Sequence, residues 1–287
     1  MEPKLLRKPN WLNKKINLLK NREMKILLKE FKLNTVCQEA LCPNISECFF
    51  CGVATFMIMG NICTRNCKFC NIKKGKPLSL DWNEPERIKK AVERLKLKYV
   101  VITSPTRDDL KDGGAKFYAY TISVLKRISS LKIEVLIPDF LLKRQSLETL
   151  VEAKPDVIAH NIETVPSLYK KLRPKADYRR SIKLLRALKE IDSTIITKSG
   201  IMLGLGEKEK EIIRVFKDLR GVDCDFVSIG QYLPPSLSHY LLKEYISQEK
   251  FSYFKEVALS LGFKSVMSTP YTRSSYLAHL YFDSSFI

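Results

Sequence analysis

The sequence predicts an α/β protein: an open parallel barrel of six βα units with an extension at each end. Three observations carry this. From position 53 onward, apolar runs of strand length alternate with amphipathic segments of helix length, the signature of parallel βα architecture. The strand candidates are near-continuous apolar runs, as expected for strands covered on both faces. Polar or glycine-containing stretches, "TSPTRDDLKDGGA", "HNIETV" and "GLGE", follow the strands, on the rim where parallel barrels place their chemistry.

Taken in order, the strands are "VATFMIM" (53–59), "KYVVITS" (98–104), "IEVLIPD" (133–139), "DVIAHNI" (156–162), "IITKSGIML" (195–203) and "FVSIGQY" (226–232). Between them, "EPERIKKAVERLKL", "GAKFYAYTISVLKRI", "SLETLVEA", "YRRSIKLLRALKEI" and "EKEKEIIRVFKDL" carry apolar residues at helical spacing with charges opposite. "SQEKFSYFKEVALSLGF" supplies a further helix after the sixth strand. Six units are too few for the eight of a closed TIM barrel, so a partial (β/α)6 TIM-type barrel is expected over residues 51–263. Residues 1–50 and 264–287 are read as extensions packed on it.

The 287 residues are 45% apolar and 28% charged, a globular composition. There is no run of about 18 apolar residues, and the basic N-terminus lacks a signal-peptide core, so a cytoplasmic protein without a membrane partner is expected. A formal charge of +19 favours acidic partners. The lysines are spread along helix-like segments with no arginine cluster or aromatic RNA-binding signature, which argues against nucleic acid.

Seven of the eight cysteines fall between positions 37 and 70, and the eighth is Cys224. In a chain able to bury its own core, this density points to metal or cluster binding and away from disulfides. "CTRNCKFC" places Cys63, Cys67 and Cys70 directly after the first strand as CxxxCxxC. Zinc would require a fourth Cys or His with similar local pairing, and His160, His239 and His279 all lie far along the chain. A 4Fe-4S cluster held by three thiolates keeps one coordination position open for a small molecule. "CQEALCPNISEC" sets Cys37, Cys42 and Cys48 in a second triplet, CxxxxCxxxxxC, and Cys51 is read as a buried small apolar residue. Cys224 receives no role.

CxxxCxxC with Phe69 before its last cysteine, placed after the first strand of a βα repeat, resembles the signature of the radical S-adenosylmethionine (radical SAM) superfamily. The pair of triplets is similar to that of the lipoyl synthases. Further segments match that family: "ATFMIMGNICTRNCKFCNI", "VITSPTRDDLKDGGA", "IEVLIPDF", "PDVIAHNIETV", "TKSGIMLGLGE", "IGQYLPPSLSH" and the terminal "RSSY" at 273–276. One departure is Pro105-Thr106 ahead of "RDDL", where the family commonly has TSVD.

The resemblance implies two 4Fe-4S clusters and S-adenosylmethionine as cosubstrate. Cys63, Cys67 and Cys70 would hold the radical cluster, and Cys37, Cys42 and Cys48 an auxiliary cluster that donates sulfur. A serine of "RSSY" would complete the auxiliary site; Ser274 and Ser275 are both candidates by spacing, and the resemblance favours Ser275. It implies a sulfurtransferase that inserts sulfur at C6 and C8 of a protein-bound octanoyl-lysine. No side-chain general base is expected, since a 5'-deoxyadenosyl radical removes the hydrogens. Implied partners are octanoylated lipoyl-carrier domains (2-oxoacid dehydrogenase E2 subunits and the glycine cleavage H protein) and a reduced ferredoxin or flavodoxin. The basic surface would steer acidic carriers. For S-adenosylmethionine, Asn161 and Glu163 are candidates for the ribose or amino group, and Lys198 or Arg107 for the carboxylate. The alternatives are a biotin-synthase-like sulfur inserter and a zinc-bearing basic nucleic-acid module.

Overall fold

The computed structural model describes residues 6–13, 22, 26–50 and 53–282; Cys51 lies outside them. One eight-stranded sheet runs in the order β1-β2-β5-β6-β7-β8-β9-β10. β1 (Asn34–Thr35) pairs antiparallel with β2 (Ala54–Met57). The next five strands, β5 (Tyr99–Thr103), β6 (Lys132–Leu136), β7 (Val157–Ala159), β8 (Ile196–Leu203) and β9 (Phe226–Gln231), continue from β2 in parallel. These are the six strands expected from sequence.

A further parallel strand, β10 (Ser265–Ser268), pairs with β9 inside the segment read as a tail. β3 (Ile62–Cys63) and β4 (Lys73–Lys74) form a separate two-stranded ladder. β1 and β10 are the sheet's two edges, so the barrel is open, as expected.

The sequence pattern explains the layers. Every residue of β2, β5 and β9 is buried, as parallel strands covered on both faces must be. Outside them, helices turn one stripe inward: Glu84–Arg94 buries Ile88, Ala91 and Val92, and Tyr178–Ile191 buries Leu184, Leu185 and Leu188. Caps fix where helices begin. Asp177 accepts from the Arg180 backbone N–H at 2.6 Å, and Ser247 from that of Lys250 at 3.3 Å, satisfying donors the helices leave unpaired. A short helix, Pro166–Leu172, follows β7 and was not expected from sequence.

The C-terminal segment does not lie on the outside of the barrel; it enters the interior. Ala278 packs with Tyr99 and Val101 in the first half of β5, and Tyr281 stacks on Phe226, the first residue of β9, at 5.2 Å. Nearer the rim, the Thr272 carbonyl lies against Gly230, where an added Cβ would stand 2.0 Å from that oxygen. Glycine is the only residue β9 accommodates there. "RSSY" is thus held between the rim and the lower end.

Candidate active site

The loop 63–70 leaves β2 through Met59 and Gly60, both in the left-handed region. It is sewn down on every side. The backbone N–H of Lys68 donates to the Leu172 carbonyl at 2.8 Å, and that of Tyr240 to the Lys68 carbonyl at 2.9 Å. Arg65 is 5% exposed and inserts into two carboxylates, pairing with Asp108 at 2.8 Å and Asp139 at 2.6 Å. Burial opposes ionisation of Asp139, but the Arg65 hydrogen bonds outweigh it and hold the carboxyl well below its ordinary range. Asp108 of "RDDL" and Asp139 of "IPDF" therefore brace the cysteine loop.

Cys63 Sγ accepts backbone N–H groups from Arg65 at 3.4 Å and Thr106 at 3.3 Å. Such donors stabilise thiolate charge and tune an iron-sulfur centre. The divergent Pro105-Thr106 turn thus serves the loop through its backbone.

Each cysteine triplet is a mutual neighbourhood. Burial first, and then the neighbouring Cys67 and Cys63, push the Cys70 thiol up to about 12. In the N-terminal extension, burial and then Cys42 push Cys37 up to about 12, and burial with Cys37 and Cys42 raises Cys48 still further. All seven described cysteines are free thiols. A bare protein disfavours thiolates here; a cationic iron cluster supplies the charge that deprotonates them, so this donor set fits such a group. Among the described residues, no three Cys, His, Asp or Glu side chains close around a point that one metal ion would fill. A multi-iron cluster needs wider spacing than a single zinc.

The two loops touch. Asn71 Nδ2 donates to the Glu39 carbonyl at 2.7 Å, tying the residue after Cys70 to the helix Val36–Glu39 that carries Cys37. Cys37, Cys42, Cys70, Ser274 and Ser275 line one cavity of about 1410 Å³, including its open mouth. Asn161 and Glu163 line it too. Glu163 is held in the left-handed region (φ 70°) by two backbone bonds: its N–H to the Gly200 carbonyl at 2.8 Å, and its carbonyl to the Met202 N–H at 2.9 Å. Such a conformation costs about 1–2 kcal/mol, which the two backbone bonds offset. Burial raises the Glu163 carboxyl above its ordinary value, with Arg173 and Asn161 opposing.

The other two expected cofactor contacts are corrected. Lys198 is fully buried on β8, five residues before its C-terminal end, with Nζ on both oxygens of Glu134 at 2.9 and 3.0 Å. Arg107 is 2% exposed, paired with Asp109 at 2.8 Å, and donates to the carbonyls of Met59 and Leu78. Neither cation lines the cavity, because each is consumed by the scaffold.

Arg273 lines the cavity, and behind its wall, against the Asn161 backbone, stands Arg173. Its Nη1 donates to the carbonyls of Asn161 and Ile162, each at 3.2 Å, and to the Tyr169 hydroxyl at 2.7 Å, with the Glu163 carboxyl and the Cys67 thiol in its field. Its Nε is buried without a partner among the described residues, as is Asn66 Oδ1 in the cysteine loop. Cys224, by contrast, is buried between the Thr197 and Phe226 carbonyls, away from both triplets.

The tail completes the arrangement. Ser274 Oγ donates to Asn161 Oδ1 at 2.9 Å, and Arg273, Ser274 and Ser275 line the same cavity as Cys37 and Cys42.

An open parallel barrel with three cysteines on the loop after its first parallel strand defines a radical SAM protein. The family model for the radical SAM superfamily matches residues 57–219. A solved structure of methylornithine synthase shares the fold at a TM-score of 0.58, with 17% identity, covering 87% of this chain and 82% of that one. The lipoyl synthase of Caldanaerobacter subterraneus subsp. tengcongensis is 55% identical over 273 residues, 95% of this chain and 96% of the relative. That of Caldicellulosiruptor saccharolyticus is 54% identical over 274 residues, with 95% and 96% coverage. The chain belongs to the lipoyl synthase family. It is a radical SAM sulfur-inserting transferase that works with 4Fe-4S clusters and S-adenosylmethionine on a protein-bound octanoyl group, with electrons from a reductant. Among the described residues, no helix is long and apolar enough to cross a membrane.

Proposed function

We propose that Cys63, Cys67 and Cys70 hold the radical cluster, and that Cys37, Cys42, Cys48 and Ser275 hold an auxiliary cluster from which sulfur is taken. The carrying observation is that the tail meets the N-terminal extension at the cavity: Arg273, Ser274 and Ser275 line it together with Cys37 and Cys42, and Asn44 Nδ2 donates to the Tyr271 carbonyl at 2.6 Å. Ser274 spends its hydroxyl on Asn161, which favours Ser275 as the ligand. In this reading residues 1–50 supply the auxiliary thiols, 51–263 the barrel and 264–287 the detachable ligand.

S-adenosylmethionine at the radical cluster supplies a hydrogen-abstracting 5'-deoxyadenosyl radical when bound. The chain's own residues orient and shield it. Asn161 and Glu163 are the groups for its ribose or amino part, and Arg173 takes the carboxylate role by a charge-assisted bond. The cavity's apolar lining, with Phe69, Leu136 and Ile201, suits an octanoyl chain and keeps water out. Sulfur enters at C6 and C8 of octanoyl-lysine on lipoyl-carrier domains of 2-oxoacid dehydrogenase E2 subunits or the glycine cleavage H protein. A reduced ferredoxin or flavodoxin delivers electrons.

Single alanine exchanges separate the serines: Ser275→Ala is expected to leave an auxiliary cluster that a chelator strips readily, while Ser274→Ala keeps it. The reverse pattern assigns the ligand to Ser274. Arg173→Met is expected to raise the S-adenosylmethionine concentration for half-maximal cleavage by about 10- to 100-fold, the loss of one charged hydrogen bond, with iron content unchanged. An unchanged requirement would remove Arg173 from that role.

A further inference from the structure

At the lower end of the barrel lies a buried charged group that touches neither cysteine triplet. Lys198 and Glu134 are 0% and 1% exposed and sit on β8 and β6, with β7 between them. Tyr99 donates its hydroxyl to Glu134 Oε2 at 2.7 Å. The remaining face of the ammonium is covered by the ring of Tyr281, whose centroid is 4.1 Å from Nζ. That ring stacks on Phe226, and Phe282 packs against Tyr99 and Phe226 at 6.1 and 5.8 Å.

Burying an ion pair gains little over apolar packing of the same volume, so stability alone does not explain this one. What the pair uniquely presents to the tail is a desolvated cation under an aromatic ring, where cation–π attraction is strongest. The other end of the segment is fixed as well. Asn44 Nδ2 donates to the Tyr271 carbonyl at 2.6 Å, and the Tyr271 hydroxyl bonds the Leu12 carbonyl. Thr272 is seated on Gly230. Ser274 and Ser275 fall between these points, with Tyr281 six positions after Ser275.

We propose that Lys198 and Glu134 form a socket for Tyr281, and that this anchor keeps Ser275 within reach of the auxiliary cysteines when the serine is not bound. The inference rests on the ligand set proposed above. Lys198, Glu134 and Tyr281 are positioning residues. Fixing the tail on both sides makes rebinding of the serine an intramolecular event at high effective concentration.

The test follows release of iron from the anaerobically reconstituted chain into an iron(II) chelator, with the auxiliary phase identified as the one absent from Cys37→Ala. Tyr281→Leu is expected to speed that phase at least about tenfold and leave the radical-cluster phase unchanged. Tyr281→Phe, which keeps the ring over the ammonium, is expected to match the parent chain. Lys198→Met/Glu134→Leu fills the socket with apolar groups, preserves packing, and is expected to repeat the selective acceleration. Parent-like release from both the Tyr281→Leu and the double variant overturns the anchor, and so does equal acceleration of both phases. A parent chain with about four irons and a single release phase removes the auxiliary site itself, and this inference with it.

Discussion

Cys37→Ala is expected to abolish lipoyl product while S-adenosylmethionine is still cleaved to 5'-deoxyadenosine. The two triplets occupy different elements: Cys37 sits in the helix Val36–Glu39 of the extension, whereas Cys63, Cys67 and Cys70 sit on the barrel rim. The rim loop has its own bracing through Arg65, Asp108 and Asp139, none of which involves the extension. Removing one auxiliary thiol therefore leaves the radical site standing. It opens the donor site, since a buried triplet that loses a thiolate no longer balances its iron. Quantifying 5'-deoxyadenosine and lipoyl peptide in the same reaction checks this; normal product formation would mean that Cys37 does not hold the sulfur source.

Gly230→Ala separates the two activities by a steric route. The added Cβ would lie 2.0 Å from the Thr272 carbonyl oxygen and 3.2 Å from Arg273 Nη1. β9 is the less able to yield, because it is paired on both sides, with β8 and β10. The tail must move instead, and Ser275 moves with it. A displacement of about 1 Å at a reacting constellation costs on the order of 100-fold, so lipoyl product should fall about 100-fold. 5'-Deoxyadenosine formation should stay within a few-fold of the parent. A variant that couples the two as tightly as the parent would show that tail placement at Gly230 is immaterial.

Some of this was legible in the sequence for plain physical reasons. Parallel strands buried on both faces leave apolar runs, so all six expected strands were found. Cluster cysteines bind locally, so their spacing is local and survives as a motif. The rest depends on chain segments meeting in space. β10 is four residues in a stretch with no periodicity of its own, and its place is set by pairing with β9. Arg173 lies ten positions after Glu163, and no local pattern links it to Cys67. Lys198 lies in a motif, but its partner Glu134 lies on another strand, which no local pattern names. A signal was present: Lys198 in "IITKSGIML" and Glu134 in "IEVLIPD" are charges inside strands buried on both faces, and such charges must find each other. Arg65, in the middle of the cysteine motif, carried the same message for Asp108 and Asp139.

The most direct measurement is iron and sulfide content per chain after anaerobic reconstitution. Two clusters predict about eight irons and eight sulfides, falling to about four of each in Cys37→Ala. About four in the parent chain, or zinc in place of iron, would contradict a radical site and a sulfur-donor site in one barrel.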